Sequence, residues 1–347
     1  MIELTQGDLL RADVDALVNT VNTKGVMGKG VALQFKHAFP ANYTSYRLAC
    51  QRGEVRLGHM FVFDNGLKRP HYIVNFPTKD HWKGKSRLAH IAAGLDDLVK
   101  VISDLQISSI AIPPLGCGNG GLEWSEVKPL IERKLEPLTH VRVALFPPGG
   151  APPAKDMVVH TEKPRITAGR AALIGLINRY SQNGLGATPL EVQKLLYFLQ
   201  TAGEPLKLTF AKGHYGPYAE NVNHVLQAVE GHYLRGYGDR SERATEATPI
   251  ELLEGVSEEV ENFLQQEPAT VSRLRRVVEL VEGFESPYGL ELLASVHYAA
   301  TSVDSTAASD RGAAVRIVQN WNRRKSNLFT ERHVMLAWER LNDAGWL

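Results

Sequence analysis

The chain has 347 residues, about twice a common domain size, so two hydrophobic cores are expected. Its 44% hydrophobic and 22% charged composition, with ordinary glycine and proline counts, excludes a disordered or fibrous protein. The net charge of +1 hides a polarity: residues 1–150 carry 18 Lys and Arg against 14 Asp and Glu, and the remainder carries 21 against 24. The first half is therefore at +4 and the second at −3, which permits a nucleic-acid-facing first half and a differently partnered second half.

No apolar run approaches the roughly 20 residues that span a bilayer. The opening Met1-Ile2-Glu3-Leu4-Thr5 enters strand-like alternation with no signal-peptide pattern, so a cytoplasmic protein with no membrane partner is expected. Cys50 and Cys117 lie far apart with no CxxC or His-rich spacing, which points to reduced thiols and no metal site.

In chain order, short apolar runs at Ala16–Val18, His59–Phe63, Tyr72–Asn75, Ile110–Pro113 and Val141–Phe146 alternate with helical patterns and predict a layered α/β domain. The clearest helix starts near Ser86 as N-cap and sets Leu88, Ile91, Leu95, Leu98, Ile102 and Leu105 at three- and four-residue spacings. Pro147 to Pro153 cannot continue a helix or a sheet ladder and marks the seam. Beyond it, patterns such as Ala171–Tyr180 and Pro189–Gln200 predict a smaller, mainly α-helical domain. The expected division is residues 1–150, a linker over 151–165, and residues 166–347.

Three segments of the first domain converge if its strands share one sheet, because ligands of open α/β sheets gather beyond the strand ends. In Asn19-Thr20-Val21-Asn22-Thr23-Lys24-Gly25-Val26-Met27-Gly28-Lys29-Gly30-Val31, the glycines let backbone N–H groups approach an anion, and a helix starting near Val31 aims its positive end there. Asn19 and Asn22 offer amides to sugar hydroxyls. Leu115-Gly116-Cys117-Gly118-Asn119-Gly120-Gly121 follows another apolar strand and can form a second nest. A dinucleotide fingerprint is the minor alternative for this loop, since Glu136 has the right spacing but lies in a helix-like stretch. No Gly-Lys-Ser/Thr follows either loop, which excludes a Walker P-loop.

The third segment, Asn75 to Arg87, sets Lys79 at a strand end, then His81, Trp82, Lys83, Lys85 and Arg87. The alternatives are a solvated loop with a partly anchored Trp82, or an aromatic that stacks a base among cations that hold phosphates.

Together with Gly7-Asp8-Leu9, these segments resemble, in order and spacing over residues 1–150, a macrodomain of the DarG type. Those antitoxins reverse the ADP-ribosylation of thymidine in single-stranded DNA by DarT toxins. The resemblance implies a three-layer α/β/α macrodomain and an enzyme that needs no cofactor. It further implies that Asp8 serves the adenine with Leu9 elsewhere in the ADP-ribose site, Asn22 the distal ribose, and Lys79 catalysis with Asn22 beside it. Asn19, Gly25, Met27, Gly28, Lys29, Gly30, Val31, Thr78 and Leu115 to Gly121 would complete the ADP-ribose site. His81, Trp82, Lys83, Lys85 and Arg87 would contact DNA. A related macrodomain that acts on modified glutamate pairs its lysine with an aspartate at the place of Gly120, so that assistance does not carry over.

Lys79 has two chemical routes. It can assist departure of thymine as a cation, or attack the opened sugar aldehyde as a neutral amine, which requires a pKa below the usual ~10.4. Two rivals to a DNA glycohydrolase remain at this stage: a reader that binds ADP-ribose without cleaving it, and a hydrolase acting on protein or on acetylated ADP-ribose.

In the second half, Lys194 to Gln200 and Phe210 to Tyr218 resemble the helical Panacea domain of many antitoxins, which implies a cognate DarT-type toxin as partner. Glu246, Glu251, Glu254, Glu258, Glu259, Glu261 and Glu267 fall in a stretch without Lys or Arg. It is either a solvated helix face or a surface that imitates the charge of nucleic acid.

Overall fold

The computed structural model describes residues 1–182, 186–242, 244 and 246–347. The chain forms two compact units, Met1–Glu162 with Gly238–Ser241, and Lys163–Tyr237 with Glu242–Leu347.

The first unit is built on a six-stranded sheet of β1 (Ile2–Leu4), β2 (Ala16–Asn22), β3 (Phe61–Asp64), β4 (Tyr72–Lys79), β5 (Ser109–Ile112) and β6 (Arg142–Leu145). The strand order is β1-β6-β5-β2-β4-β3, and every neighbouring pair is parallel except β3 with β4. Its helices are α1 (Val31–Ala38), α2 (Pro40–Gln51), α3 (Leu88–Asp104) and α4 (Trp124–Leu135).

The central strands are apolar on both faces because both faces are covered. Val18, Val74, Phe76, Ile110, Ile112, Val143 and Leu145 pack with Ile91, Leu95, Leu98, Val127 and Ile131 of α3 and α4. The alternate residues Leu17, Ile73, Ala111 and Ala144 turn the other way onto Phe35 of α1. Three layers follow from that period of two, and the carboxyl ends of β2, β4 and β5 share one rim.

The seat of α3 on the sheet depends on a missing side chain. A Cβ at Gly94 would stand 2.3 Å from the Phe76 ring. Gly94→Ala is therefore expected to cost about 1–3 kcal/mol through overpacking, despite the better helix propensity of alanine. The midpoint of the denaturant transition of the full chain measures it; an unchanged or raised midpoint would contradict this packing.

Two sequence expectations shift. Ser86 is not the N-cap of α3, which begins at Leu88 behind Arg87 with no side-chain cap. β4 runs past the predicted Asn75 to Lys79, because Pro77 falls where the β2–β4 register shifts and its missing N–H interrupts no regular ladder.

In the second unit, α5 (Ala168–Ser181), α6 (Pro189–Thr201), α7 (Glu220–Val229), α8 (Val256–Leu264), α9 (Pro268–Val281), α10 (Pro287–Tyr298), α11 (Arg311–Gln319), α12 (Arg323–Leu328) and α13 (Glu331–Asp343) enclose one large apolar core. Thr188 and Glu191 form a reciprocal capping box at the start of α6. Residues 194–200 and 210–218 meet through Lys194, whose buried Nζ donates to Pro217 O at 2.7 Å in the hairpin β7 (Ala211–Gly213) and β8 (Gly216–Tyr218). His214 and Tyr215 lie edge to face, 4.7 Å between centroids. No helix among the described residues is long and apolar enough to cross a membrane.

Candidate active site

Asn22 and Lys79 are register partners at the ends of β2 and β4. Asn22 shapes the first glycine loop: its Oδ1 accepts from Lys24 N–H at 2.9 Å and its Nδ2 donates to Val26 O at 2.6 Å. The Tyr46 hydroxyl donates to Asn22 O, and Met27 is buried beneath the loop among Val21, Tyr46 and Ala49. Gly25 and Gly30 take positive φ, +77° and +63°, the left-handed region that favours glycine.

The second loop closes on itself. Cys117 N–H donates to Pro114 O, Gly121 N–H to Gly118 O and Leu122 N–H to Gly116 O, at 3.0 to 3.1 Å. Ser86 N–H donates to Gly120 O, which knits the loop to the chain beyond β4. A Cβ at Gly120 would stand 2.3 Å from both Gly116 O and Ser86 Oγ, so position 120 admits no side chain in this conformation.

What the two loops leave over defines their chemistry. The N–H groups of Gly118, Asn119 and Gly120, and of Gly28, Lys29, Val31 and Ala32, have no acceptor among the described residues. The loops face each other, since a Cβ on Gly30 would lie 3.3 Å from Asn119 Nδ2. Two runs of unclaimed donors, one at the N-terminus of α1, suit a ligand with two adjacent phosphates.

Lys79 sits beside this anion seat, its Nζ donating to Asn119 O at 3.0 Å. Burial, and then repulsion from Lys85, hold its pKa below the ordinary lysine value. Lys85 also reaches the second loop, and its Nζ would lie 2.8 Å from a Cβ at Gly121.

The remaining expected residues take varied places. Asp8 caps a short 3₁₀ turn, accepting from Leu10 N–H at 2.9 Å, and Leu9 is buried against the sheet. Asn19 is wholly buried and donates to Asn75 Oδ1 at 3.0 Å, while Asn75 and Asn42 exchange amide bonds. This asparagine cluster fastens β2, β4 and α2 beneath the first loop, with Asn19 Oδ1 buried and left without a partner among the described residues. Buried Thr78 donates to Val21 O at 3.3 Å, and Leu115 is also buried. Burial and then Glu123 push the Cys117 thiol up to about 11, so it is not a thiolate at neutral pH.

Trp82 is exposed, with His81 stacked on it at 5.2 Å and Lys83 Nζ 4.7 Å from its ring centroid. Lys29, Lys83, Lys85 and Arg87 are exposed. Among the described residues no group of His, Cys, Asp and Glu could hold a metal ion.

Sequence reasoning missed four contributors. Thr23 Oγ1 donates to Asp80 Oδ1 at 2.5 Å and Thr23 N–H to Asp80 O at 3.1 Å, a clasp between the residues that follow Asn22 and Lys79. Ser86 backs the second loop. Within the first unit, Asp239 O accepts from Gly30 N–H at 2.9 Å, and its carboxylate accepts from Gln34 Nε2 at 2.6 Å. A Ser next to a lysine-rich stretch was a legible signal; Asp239 gave none.

Two facing glycine loops with unclaimed N–H groups stand at the rim of a mixed three-layer sheet, and the Macro domain model matches residues 18–131. A DNA ADP-ribosyl glycohydrolase of Thermus aquaticus is 49% identical over 348 residues, covering 100% of this chain and 94% of that protein. A DNA ADP-ribosyl transferase-DNA ADP-ribosyl glycohydrolase fusion protein of Thermosipho africanus is 36% identical over 153 residues, 40% of this chain and 39% of that one. The solved macrodomain of Mycobacterium tuberculosis DarG shares 54% identity, covering 43% of this chain and 99% of that chain, with a TM-score of 0.42. The chain belongs to the DNA ADP-ribosyl glycohydrolase family.

Proposed function

We propose that the protein hydrolyses the bond between the distal ribose of ADP-ribose and a thymine nitrogen in single-stranded DNA, and so acts as the antitoxin to a DNA ADP-ribosyltransferase. The observation that carries this reading is the pair of facing loops with unclaimed N–H groups and Lys79 between them and the strand ends. Diphosphate on the loops brings C1″ to Asn22 and Lys79. The C1″–N bond breaks, water supplies hydroxide to C1″, and thymine leaves with the proton. The Lys79 ammonium stabilises the negative charge that grows on the base. Gly120, closed to any side chain, rules out an aspartate partner there, so the lysine acts without one. The exposed Trp82 with its cations offers a stacking platform and phosphate contacts for the flanking strand.

The test is release of ADP-ribose from a thymidine-modified oligonucleotide, with ADP-ribosylated glutamate and arginine peptides as controls. Release from the oligonucleotide alone is expected. Release from the peptides alone would reassign the substrate to protein, and binding without release would make the protein a reader.

The second unit is proposed to bind the toxin through its acidic surface. Glu251 in a short strand (Glu251–Leu252), Glu254 in the turn that follows it and Glu258 on α8 are exposed, whereas Glu259 pairs with Lys163 at 2.8 Å and Glu261 with Arg179 at 2.9 Å. Changing Glu254 and Glu258 together to Lys spares those pairs. The toxin is expected to associate with this variant about tenfold more slowly at low salt, with the difference shrinking as salt rises. Equal rates in a stopped-flow comparison would remove the acidic surface from the contact.

A further inference from the structure

The first unit carries a cleft of about 440 Å³ on the α2 side of the first glycine loop, lined by Thr23, Lys24, Cys50, Gln51, Arg56 and Asp80, with Val55 and Leu57. Its position is set by the strands. Thr23 and Asp80 directly follow Asn22 and Lys79, and their clasp forms one wall. The cleft therefore opens next to the point where C1″ and the group attached to it must lie. Its volume falls in the range of small-ligand sites.

The lining has the chemistry of a nucleotide. Val55, Leu57 and Cys50 give an apolar floor for a base, and the Gln51 amide can both donate and accept. Lys24 is held by Asp80 at 3.2 Å. Exposed Arg56 makes only a 3.3 Å bond to Gly53 O and has no ion pair among the described residues. One carboxylate against two cations leaves a guanidinium available for phosphate.

We propose that this cleft is the nucleotide subsite of the glycohydrolase: it receives the thymine that leaves C1″, and Arg56 binds a phosphate of the same strand. The proposal rests on the DNA substrate argued above and goes beyond it by placing the leaving group on the α2 side of the strand ends, across the first glycine loop from its unclaimed N–H groups. Base and strand are then recognised by groups that never touch ADP-ribose.

Arg56→Glu and the cleft-filling Gln51→Trp test it in the full chain. With an ADP-ribosylated oligonucleotide, Arg56→Glu is expected to raise KM about tenfold and to lower the salt dependence of binding by roughly one phosphate contact. With ADP-ribosylated thymidine nucleoside, which has no phosphodiester, the same variant should match the wild type, whereas Gln51→Trp should lose kcat/KM on both substrates. Affinity for free ADP-ribose should be unchanged in both variants. Unchanged KM in both variants, or loss of ADP-ribose affinity in either, overturns the subsite. Fluorescence anisotropy with the unmodified thymidine oligonucleotide separates the two readings. If the wild type released nothing yet Arg56→Glu still weakened oligonucleotide binding, the DNA glycohydrolase reading would fall, taking the leaving-group role with it, while strand binding by the cleft would stand; equal binding overturns the subsite whatever the activity.

Discussion

Lys79→Ala loses turnover by roughly 10²–10⁴-fold and still binds ADP-ribose within a few-fold of the wild type. The amine reaches Asn119 O rather than an unclaimed loop N–H, so its removal leaves the donors of the phosphate seat in place. Its lowered pKa gives the reaction a pH signature with a definite sign. If the ammonium form stabilises the leaving base, kcat holds while the amine is charged and falls with rising pH below the 10.5 of an ordinary lysine. Lys85→Gln removes the repulsive neighbour and should move that fall to higher pH. A kcat that rises with pH instead would favour attack by the neutral amine, which borohydride trapping would capture as a covalent adduct. Calorimetry with free ADP-ribose checks the binding half: a large loss there would reassign Lys79 to anchoring.

The second large effect separates two glycines of one loop. Gly118 has ordinary φ and open space where a Cβ would go, so Gly118→Val folds normally. Its branched side chain then stands beside an unclaimed N–H and blocks phosphate, and ADP-ribose affinity should fall at least about a hundredfold in calorimetry. Gly120→Asp fails differently. Its Cβ collides with Gly116 O and Ser86 Oγ, so the loop must open, and both ADP-ribose binding and the thermal midpoint should drop. An active Gly120→Asp variant of wild-type stability would refute the loop geometry, because it would mean that an aspartate fits where none is expected to.

Much of the first unit was legible because its signals are local. Strands apolar on both faces betray a covered sheet, and glycine loops after Asn22 and Ile112 betray an anion seat. The misreadings arise where the deciding partner is remote. Ser86 precedes an amphipathic helix and has the composition of an N-cap, yet the second glycine loop claims its backbone and surrounds its hydroxyl. Asn19 looks like a ligand amide until Asn75 and Asn42, from a distant strand and helix, take its place in a buried cluster. Thr23 and Asp80 read as ordinary loop polar residues, and only the pairing of β2 with β4 brings them together. Residue type is local information; which surface a polar group faces is not.

The bond from Gly30 N–H to Asp239 O bears on how such a protein can be inherited. The proline-rich seam after residue 146 invites the view that the two coding halves are separable cassettes. Yet Gly238–Ser241, encoded well downstream, belongs to the first unit and holds Gly30, the residue just before α1. A crossover at the seam would pair one parent's glycine loop with another parent's Asp239 segment, and Gln34 would face a carboxylate it had not been selected beside. Recombinants would then lose loop order before losing either fold, so lineages should pass the two halves on together and compensate changes at position 239 with changes at position 34.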